Sequence, residues 1–247
     1  FTRDCIDILN EHPVQFTPQE FVDTLSPITP RLYSISSSPK LHPREVHITV
    51  AVVKYNNFER DRFGLATGDL SNRIEVNKTR IPVYIQPTKE FVIPDDSSKD
   101  IIMIGPGTGI APFRAFLEQR IKEKGTGRNW LFFGEIHEKS TFFYKDEWFE
   151  AMKNGHLQKL TTAFSRDQEH KIYVQHRLLG NSEEIWEWLQ SGSYFYVCGD
   201  KQYMAKDVHS ALIDIAQKEG KLKKEDAENY INQTLMKDER RYLRDVY

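Results

Sequence analysis

Cysteine is nearly absent: Cys5 and Cys198 are the only two among 247 residues. They form neither a disulfide framework nor a metal-ligand cluster, which points to a reducing compartment and a cytoplasmic protein. Long apolar runs are missing too, which excludes the usual signature of a transmembrane helix. The opening Phe1-Thr2-Arg3-Asp4 is not signal-like, and without an initiator Met the chain is expected to be a fragment. Neither charge sign dominates: the formal net charge is -2, so no nucleic-acid partner is predicted. The eight histidines are scattered; His42 with His47, and His170 with His176, show no ligand-grade spacing, so no metal is predicted. Internal repeats and low-complexity tracts are also lacking.

What is present centres on Ile101-Ile102-Met103-Ile104-Gly105-Pro106-Gly107-Thr108-Gly109-Ile110-Ala111-Pro112. Four consecutive apolar residues read as a strand covered on both faces. Three glycines follow in a side-chain-free turn, and Pro112 suits the first turn of a helix. Strand, glycine turn and helix N-terminus together favour a phosphate or another anion. The turn lacks the Gly-Lys-Ser or Gly-Lys-Thr of a nucleotide hydrolase. It also departs from Gly-x-Gly-x-x-Gly, because its third glycine comes one place early.

The hydrophobic fraction of 39%, with 13 glycines and 11 prolines, supports two domains or one large α/β unit. Residues 1–27 hold short apolar-periodic pieces, with Thr17-Pro18-Gln19-Glu20 as a helix-capping signal. From Arg31 to about Lys99 the pattern turns β-rich. Strands are predicted at Arg31–Ser36, Val46–Tyr55 and Ile81–Gln86, and a short helix after Phe63-Gly64. These strands look like part of a barrel, too few to close one. Asp95-Asp96-Ser97-Ser98 marks a boundary. Beyond it, strands (Ile101–Ile104, Asn129–Gly134, Leu157–Phe164, Ser193–Gly199) alternate with helices (Phe113–Lys124, Lys145–Lys153, Glu183–Gln190, Met204–Glu219, Lys224–Met236). That alternation predicts a parallel α/β domain.

Binding chemistry in such a domain gathers at the carboxyl edge of the sheet. Ser165, Arg166, Lys171 and Tyr173 offer a hydroxyl, a fork donor, an ammonium and a ring, a set suited to a phosphate monoester. Cys198 closes an aromatic strand and is either a buried structural thiol or part of the lining of a reacting ring. Arg31, Tyr33 and Ser34 form a second anion-plus-aromatic group.

These segments, in this order, resemble the ferredoxin–NADP reductase-like flavoproteins. The motifs are Arg31-Leu32-Tyr33-Ser34, Gly64-Leu65-Ala66-Thr67, the Gly105–Pro112 turn, Ser165-Arg166-Asp167-Gln168, Lys171-Ile172-Tyr173-Val174-Gln175 and Cys198-Gly199-Asp200. The closer resemblance is to the NADPH–FAD half of diflavin reductases. Within that group, the ending Arg240–Tyr247 is similar to the flavoprotein components of bacterial assimilatory sulfite reductases.

The resemblance implies a partial antiparallel FAD-binding barrel followed by a parallel-sheet NADP-binding domain. It divides the chain into a helical connecting remnant (1–30), a barrel portion (31–98) and an NADPH domain (99–247) whose tail returns to the flavin. FAD contacts are implied for Arg31, Leu32, Tyr33, Ser34, Thr49, Val50, Ala51, Tyr55, Gly64, Leu65, Ala66, Thr67 and Tyr247. NADPH contacts are implied for Gly107, Thr108, Ser165, Arg166, Lys171, Ile172, Tyr173, Val174, Gln175 and Asp207. Ser34, Cys198 and Asp245 are implied to meet where hydride passes from nicotinamide to flavin. The implied activity is NADPH-dependent reduction of FAD. Electrons would then pass through an FMN domain, ahead of this segment, to a sirohaem and iron–sulfur sulfite reductase subunit serving cysteine biosynthesis in an oligomer. Reduction of a cytochrome P450, or a non-catalytic interaction domain, stand as the alternatives.

Overall fold

The computed structural model describes residues 3–247, which fall into two compact units. The first comprises the described residues up to Tyr33 together with Val50–Tyr84; the second comprises Ser34–Thr49 and Ile85–Tyr247.

In the first unit, α1 (Cys5–Glu11) and α2 (Pro18–Asp23) each begin at a complete capping box. The Asp4 side chain accepts from Asp7 N while Asp7 accepts from Asp4 N, and Thr17 and Glu20 do the same for α2. Such reciprocal bonds satisfy donors a short helix would leave orphaned. β1 (Lys54–Asn57) and β2 (Arg60–Phe63) pair antiparallel, joined through Phe58 and Glu59, both at positive φ as a two-residue hairpin turn requires. Arg60 and Arg62 reach from β2 to Asp7, at 2.9 and 2.6 Å, which fastens α1 to the hairpin. α3 (Leu65–Asn72) follows Gly64 as predicted.

The three strands expected in the β-rich segment do not form as drawn. Val46–Tyr55 contributes only an isolated antiparallel bridge, Ile35 to Ile48, and the start of β1; Arg31–Ser36 contributes only Ile35. Ile81–Gln86 makes no ladder and is exposed throughout. Alternation marks a face, but a strand is stabilised by a partner's hydrogen bonds, and beyond that bridge and the β1–β2 pairing no ladder runs alongside these segments among the described residues. Their apolar side chains, Val46, Val52, Val53 and Ile85 among them, remain exposed.

The second unit contains a five-stranded, all-parallel sheet in the order β5-β4-β3-β6-β7. Its strands are β3 (Ile101–Ile104), β4 (Asn129–Glu135), β5 (Lys159–Phe164), β6 (Tyr194–Gly199) and β7 (Tyr242–Val246). Side chains alternate between two apolar layers, which is why the central strands have no polar face. One layer contains Ile102, Ile104, Trp130, Phe132, Phe195 and Val197. It packs on α7 (Val174–Gly180), α8 (Ser182–Gln190) and α9 (Met204–Glu219). The other contains Ile101, Met103, Leu131, Phe133, Tyr196 and Cys198. It is covered by α4 (Ala111–Lys122) and α6 (Lys145–Lys153), with the short α5 (Glu138–Thr141) between β4 and α6. Each fully buried large side chain contributes about 1.5–3 kcal/mol, so this sheet is the energetic centre of the unit.

Near its end the chain forms α10 (Lys224–Asn229), which continues as a π-helix over Tyr230–Asp238. The predicted last helix ended at Met236, and β7 had no counterpart in the sequence reading. No helix of the described residues is long and apolar enough to cross a membrane.

Candidate functional site

β3 ends at Ile104, and beyond Gly105 and Pro106 the segment Gly107–Ile110 forms a single 3₁₀ turn leading into α4. Two glycines here are required for different reasons. Gly107 has φ +58, left-handed backbone that a side chain disfavours. Gly109 lies against the end of β6: a Cβ there would sit 2.1 Å from Cys198 O. The turn is thereby pressed onto β6 while its Gly107 side stays open, with only Glu135 Oε1 within 4 Å of an added Cβ. No side chain caps the turn, so its leading N–H groups are free to meet an anion.

β6 and β7 are in register with Cys198 opposite Asp245. Asp245 Oδ2 accepts from Ser34 Oγ at 3.2 Å and lies 4.0 Å from Cys198 Sγ. Ser34, Cys198 and Asp245 therefore share one corner of the second unit. Burial, and after it the Asp245 charge, pushes the Cys198 thiol up, so it stays protonated. Beside them Tyr247, 61% exposed, shares a hydrogen bond with Thr108 Oγ1 at 3.0 Å, and its amide donates to Gly199 O. Asp200 takes the first amides of α9, from Tyr203 at 2.7 Å and Met204 at 3.0 Å, and these bonds hold its carboxyl below the usual range.

At the end of β5, the Ser165 and Arg166 amides donate to Glu135 O and Ile136 O. Neither side chain has a partner among the described residues, nor does that of the exposed Lys171. Tyr173 stacks on His176, while Gln175 Nε2 donates to Asp207 Oδ2 at 2.9 Å. Asp167 is committed elsewhere, to Glu138 N and His137, and the Glu138 amide in particular holds its carboxyl low. Val174 is buried in the apolar layer and Ile172 packs against it, so both support the edge rather than face it.

The remaining predicted residues are spread more widely. Thr49, in the second unit, shares a hydrogen bond with Tyr144 at 2.7 Å. In the first unit, Arg31 bonds Thr29 Oγ1 and the Thr29 and Pro30 carbonyls. Leu32 is exposed, Tyr33 half-buried, Val50 half-buried, and Ala51 and Tyr55 exposed. Thr67 is buried and accepts from Val53 N at 3.1 Å, while Gly64 N donates to Val53 O. The Thr67 hydroxyl proton remains available, and α3 has no side-chain cap, so Gly64, Leu65 and Ala66 lead into a helix start suited to a phosphate.

Sequence reasoning passed over Arg114. It donates to Ser36 O at 2.8 Å, pairs with Glu147 and Glu118, and lies over the Tyr144 ring at 4.9 Å. It thus ties the segment carrying Ser34 to α4. A charged residue in the first turns of a helix carries no signal of such a role.

Comparison with known proteins agrees with this layout. Residues 2–68 match the FAD binding domain family, and residues 103–210 match the oxidoreductase NAD-binding domain family. The chain is 48% identical over 242 residues to the sulfite reductase [NADPH] flavoprotein alpha-component of Mannheimia succiniciproducens, covering 98% of this chain and 40% of that protein. Identity to the alpha-component of Photobacterium profundum is 46% over 98% of this chain and 40% of the relative. For that of Bacillus subtilis it is 44% over 99% and 40%. Along nearly all of its length the chain is similar to sulfite reductase flavoproteins. It spans about 40% of the length of these relatives. The first matched range contains the uncapped start of α3, and the second contains the glycine turn with its sheet edge.

Proposed function

We propose that this chain is the NADPH-oxidising, FAD-binding module of a sulfite reductase flavoprotein. The observation that carries the reading is the convergence of Ser34, Cys198 and Asp245 beside the glycine turn. The corner offers a hydroxyl, a protonated thiol and a carboxylate, which suits a transfer needing alignment and an electrostatic field more than proton abstraction.

FAD, when bound, supplies the hydride-accepting chemistry. Gly107 and Thr108 receive the NADPH pyrophosphate, and Ser165, Arg166, Lys171 and Tyr173 read its 2′-phosphate. Gln175 and Asp207, already bonded to each other, line the same edge. Arg31, Tyr33 and the Gly64–Thr67 helix start bind FAD phosphates and ring, with Leu32, Thr49, Val50, Ala51 and Tyr55 adding contacts. Tyr247, exposed beside Thr108, would cover the flavin ring and would have to yield its place to the nicotinamide. Asp245 favours the positive charge that develops on nicotinamide, Ser34 orients the acceptor edge, and Cys198 packs without ionising.

The antiparallel hairpin belongs to a barrel (31–98) between a connecting remnant (1–30) and the NADPH domain (99–247). In the whole protein an FMN domain passes electrons to a haemoprotein subunit carrying sirohaem and an iron–sulfur centre, in a cytoplasmic oligomer. Anaerobic mixing of the FAD-reconstituted chain with NADPH or NADH tests the reading. Rapid bleaching of the flavin by NADPH, and slow bleaching by NADH, is expected. A chain that retains no flavin, or whose flavin stays oxidised, is instead a non-catalytic interaction domain.

A further inference from the structure

Away from the hydride-transfer corner, the second unit gathers two imidazoles and two carboxylates in one short loop and the helix beneath it. The loop is fixed by its own backbone: Leu41 N and His42 N donate to Ser38 O, and Glu45 N donates to His42 O. His47 N donates to Ser37 Oγ, and Ser36 N donates to His47 O. These bonds return the chain on itself, so that the His42 and His47 rings lie 4.4 Å apart, centre to centre. Glu45 sits between them, its Oε2 3.0 Å from His47 Nε2 and 3.9 Å from His42 Nδ1. One ligand atom from each of the three lies within 4.8 Å of the others. Two ligands on a tetrahedral zinc stand about 3.3 Å apart, so modest side-chain rotation closes the set.

From this juxtaposition we propose that His42, Glu45 and His47 form a zinc site, with Glu118 of α4 orienting His42. Two nitrogens and one carboxylate oxygen suit zinc, leaving a fourth position for water. His42 Nε2 lies 3.3 Å from Glu118 Oε1, which keeps the proton on that nitrogen and turns Nδ1 towards Glu45 as the ligand. His47 has one competing contact: Arg114 Nη1 lies 3.2 Å from its Nδ1, which places the ring proton on Nε2. Zinc on Nε2 moves that proton to Nδ1 and displaces this bond. Arg114 keeps Ser36 O, Glu118 and Glu147. The His42-x-x-Glu45-x-His47 spacing carries no standard ligand signature, so histidine spacing alone predicts no metal. The site arises from the turn and from α4.

The test uses the full chain, titrated with zinc chloride by calorimetry and with cobalt(II) by visible absorption. One equivalent is expected to bind, with cobalt giving the intense bands of a tetrahedral site. His42→Asn and His47→Asn are expected to remove that equivalent, and Glu118→Gln to weaken it by about 10- to 100-fold. His42→Asn is the secure variant, because the described bonds of its side chain run only to Glu45 and Glu118; circular dichroism verifies its fold. Zinc bound equally by the wild type and both histidine variants, or no saturable binding by the wild type, overturns the proposal. Either result leaves the reductase reading untouched, since neither readout involves NADPH or flavin.

Discussion

Replacing Gly109 with alanine inserts a methyl group into a space occupied by backbone. The new Cβ would lie 2.1 Å from Cys198 O, 2.7 Å from Cys198 C and 3.2 Å from Gly199 Cα. None of these atoms can rotate away, so the 3₁₀ turn and the end of β6 must part by about 1 Å to restore ordinary contact. Overpacking of this kind costs about 1–3 kcal/mol. In a chain of this size that lowers the melting temperature by about 2–12 °C. Thr108 and Cys198 move with the two walls, so NADPH binding is expected to weaken by about tenfold, equivalent to roughly 1.4 kcal/mol. Two other glycines calibrate the effect. Gly107→Ala meets only Glu135 Oε1 at 3.8 Å and bears only the left-handed backbone cost, about 1–2 kcal/mol. Gly180→Ala, at the end of α7 with nothing within 4 Å, gains about 0.4–1 kcal/mol through the unfolded state. Thermal circular dichroism and NADPH fluorescence titration read all three. A Gly109→Ala protein melting within about 1 °C of wild type, with unchanged NADPH affinity, would refute the argument that close approach sets this glycine.

Arg166→Ala removes a charged donor, so NADPH is expected to weaken by about 10- to 100-fold while NADH changes little; equal losses in steady-state titrations would remove Arg166 from 2′-phosphate recognition. Iodoacetamide followed by mass spectrometry is expected to label the exposed Cys5 and spare Cys198, whose thiol is buried and pushed up. Equal labelling rates in the native protein would contradict that packing. Burial, and after it the Arg244 charge, lowers His209 below its ordinary 6.5. Its contribution to stability is therefore complete above pH 6.5 and lost as the pH falls through the lowered folded value, because the unfolded chain takes up the proton first. Denaturant titrations across pH 5–8 should show that decline, and His209→Gln should flatten it.

The parallel sheet was readable because each central strand is an unbroken apolar run, and Ile101–Ile104 needs no partner information to be recognised. Helices ending at Lys153, Gln190 and Glu219 were readable for a similar reason: their periodicity is local. Val46–Tyr55 carries an equally strong strand pattern, yet its hydrogen bonds depend on neighbours that composition does not reveal. β7 was missed in the opposite sense: Tyr242-Leu243-Arg244-Asp245-Val246 has charges in its middle and extends only because β6 offers an open edge. Consequently Asp245 could be linked to Cys198 through family resemblance, whereas the register that sets them opposite each other is visible only in the sheet. A helix up to Met236 was readable, but nothing in its residues told that the part from Tyr230 onward is wound as a π-helix. Arg114 and the His42–His47 loop follow the same rule, since each is defined by what the fold brings beside it.

The bond from Ser34 to Asp245 joins residues 211 positions apart. During synthesis at about 5–20 residues per second, the serine waits roughly 10–40 s for its carboxylate to emerge. Until then β6 is a bare margin, and a nascent chain folding from its beginning holds the glycine turn without the carboxylate corner beside it. Ribosome-stalled chains ending before Tyr242 are therefore the forms in which that margin is open to a neighbouring strand.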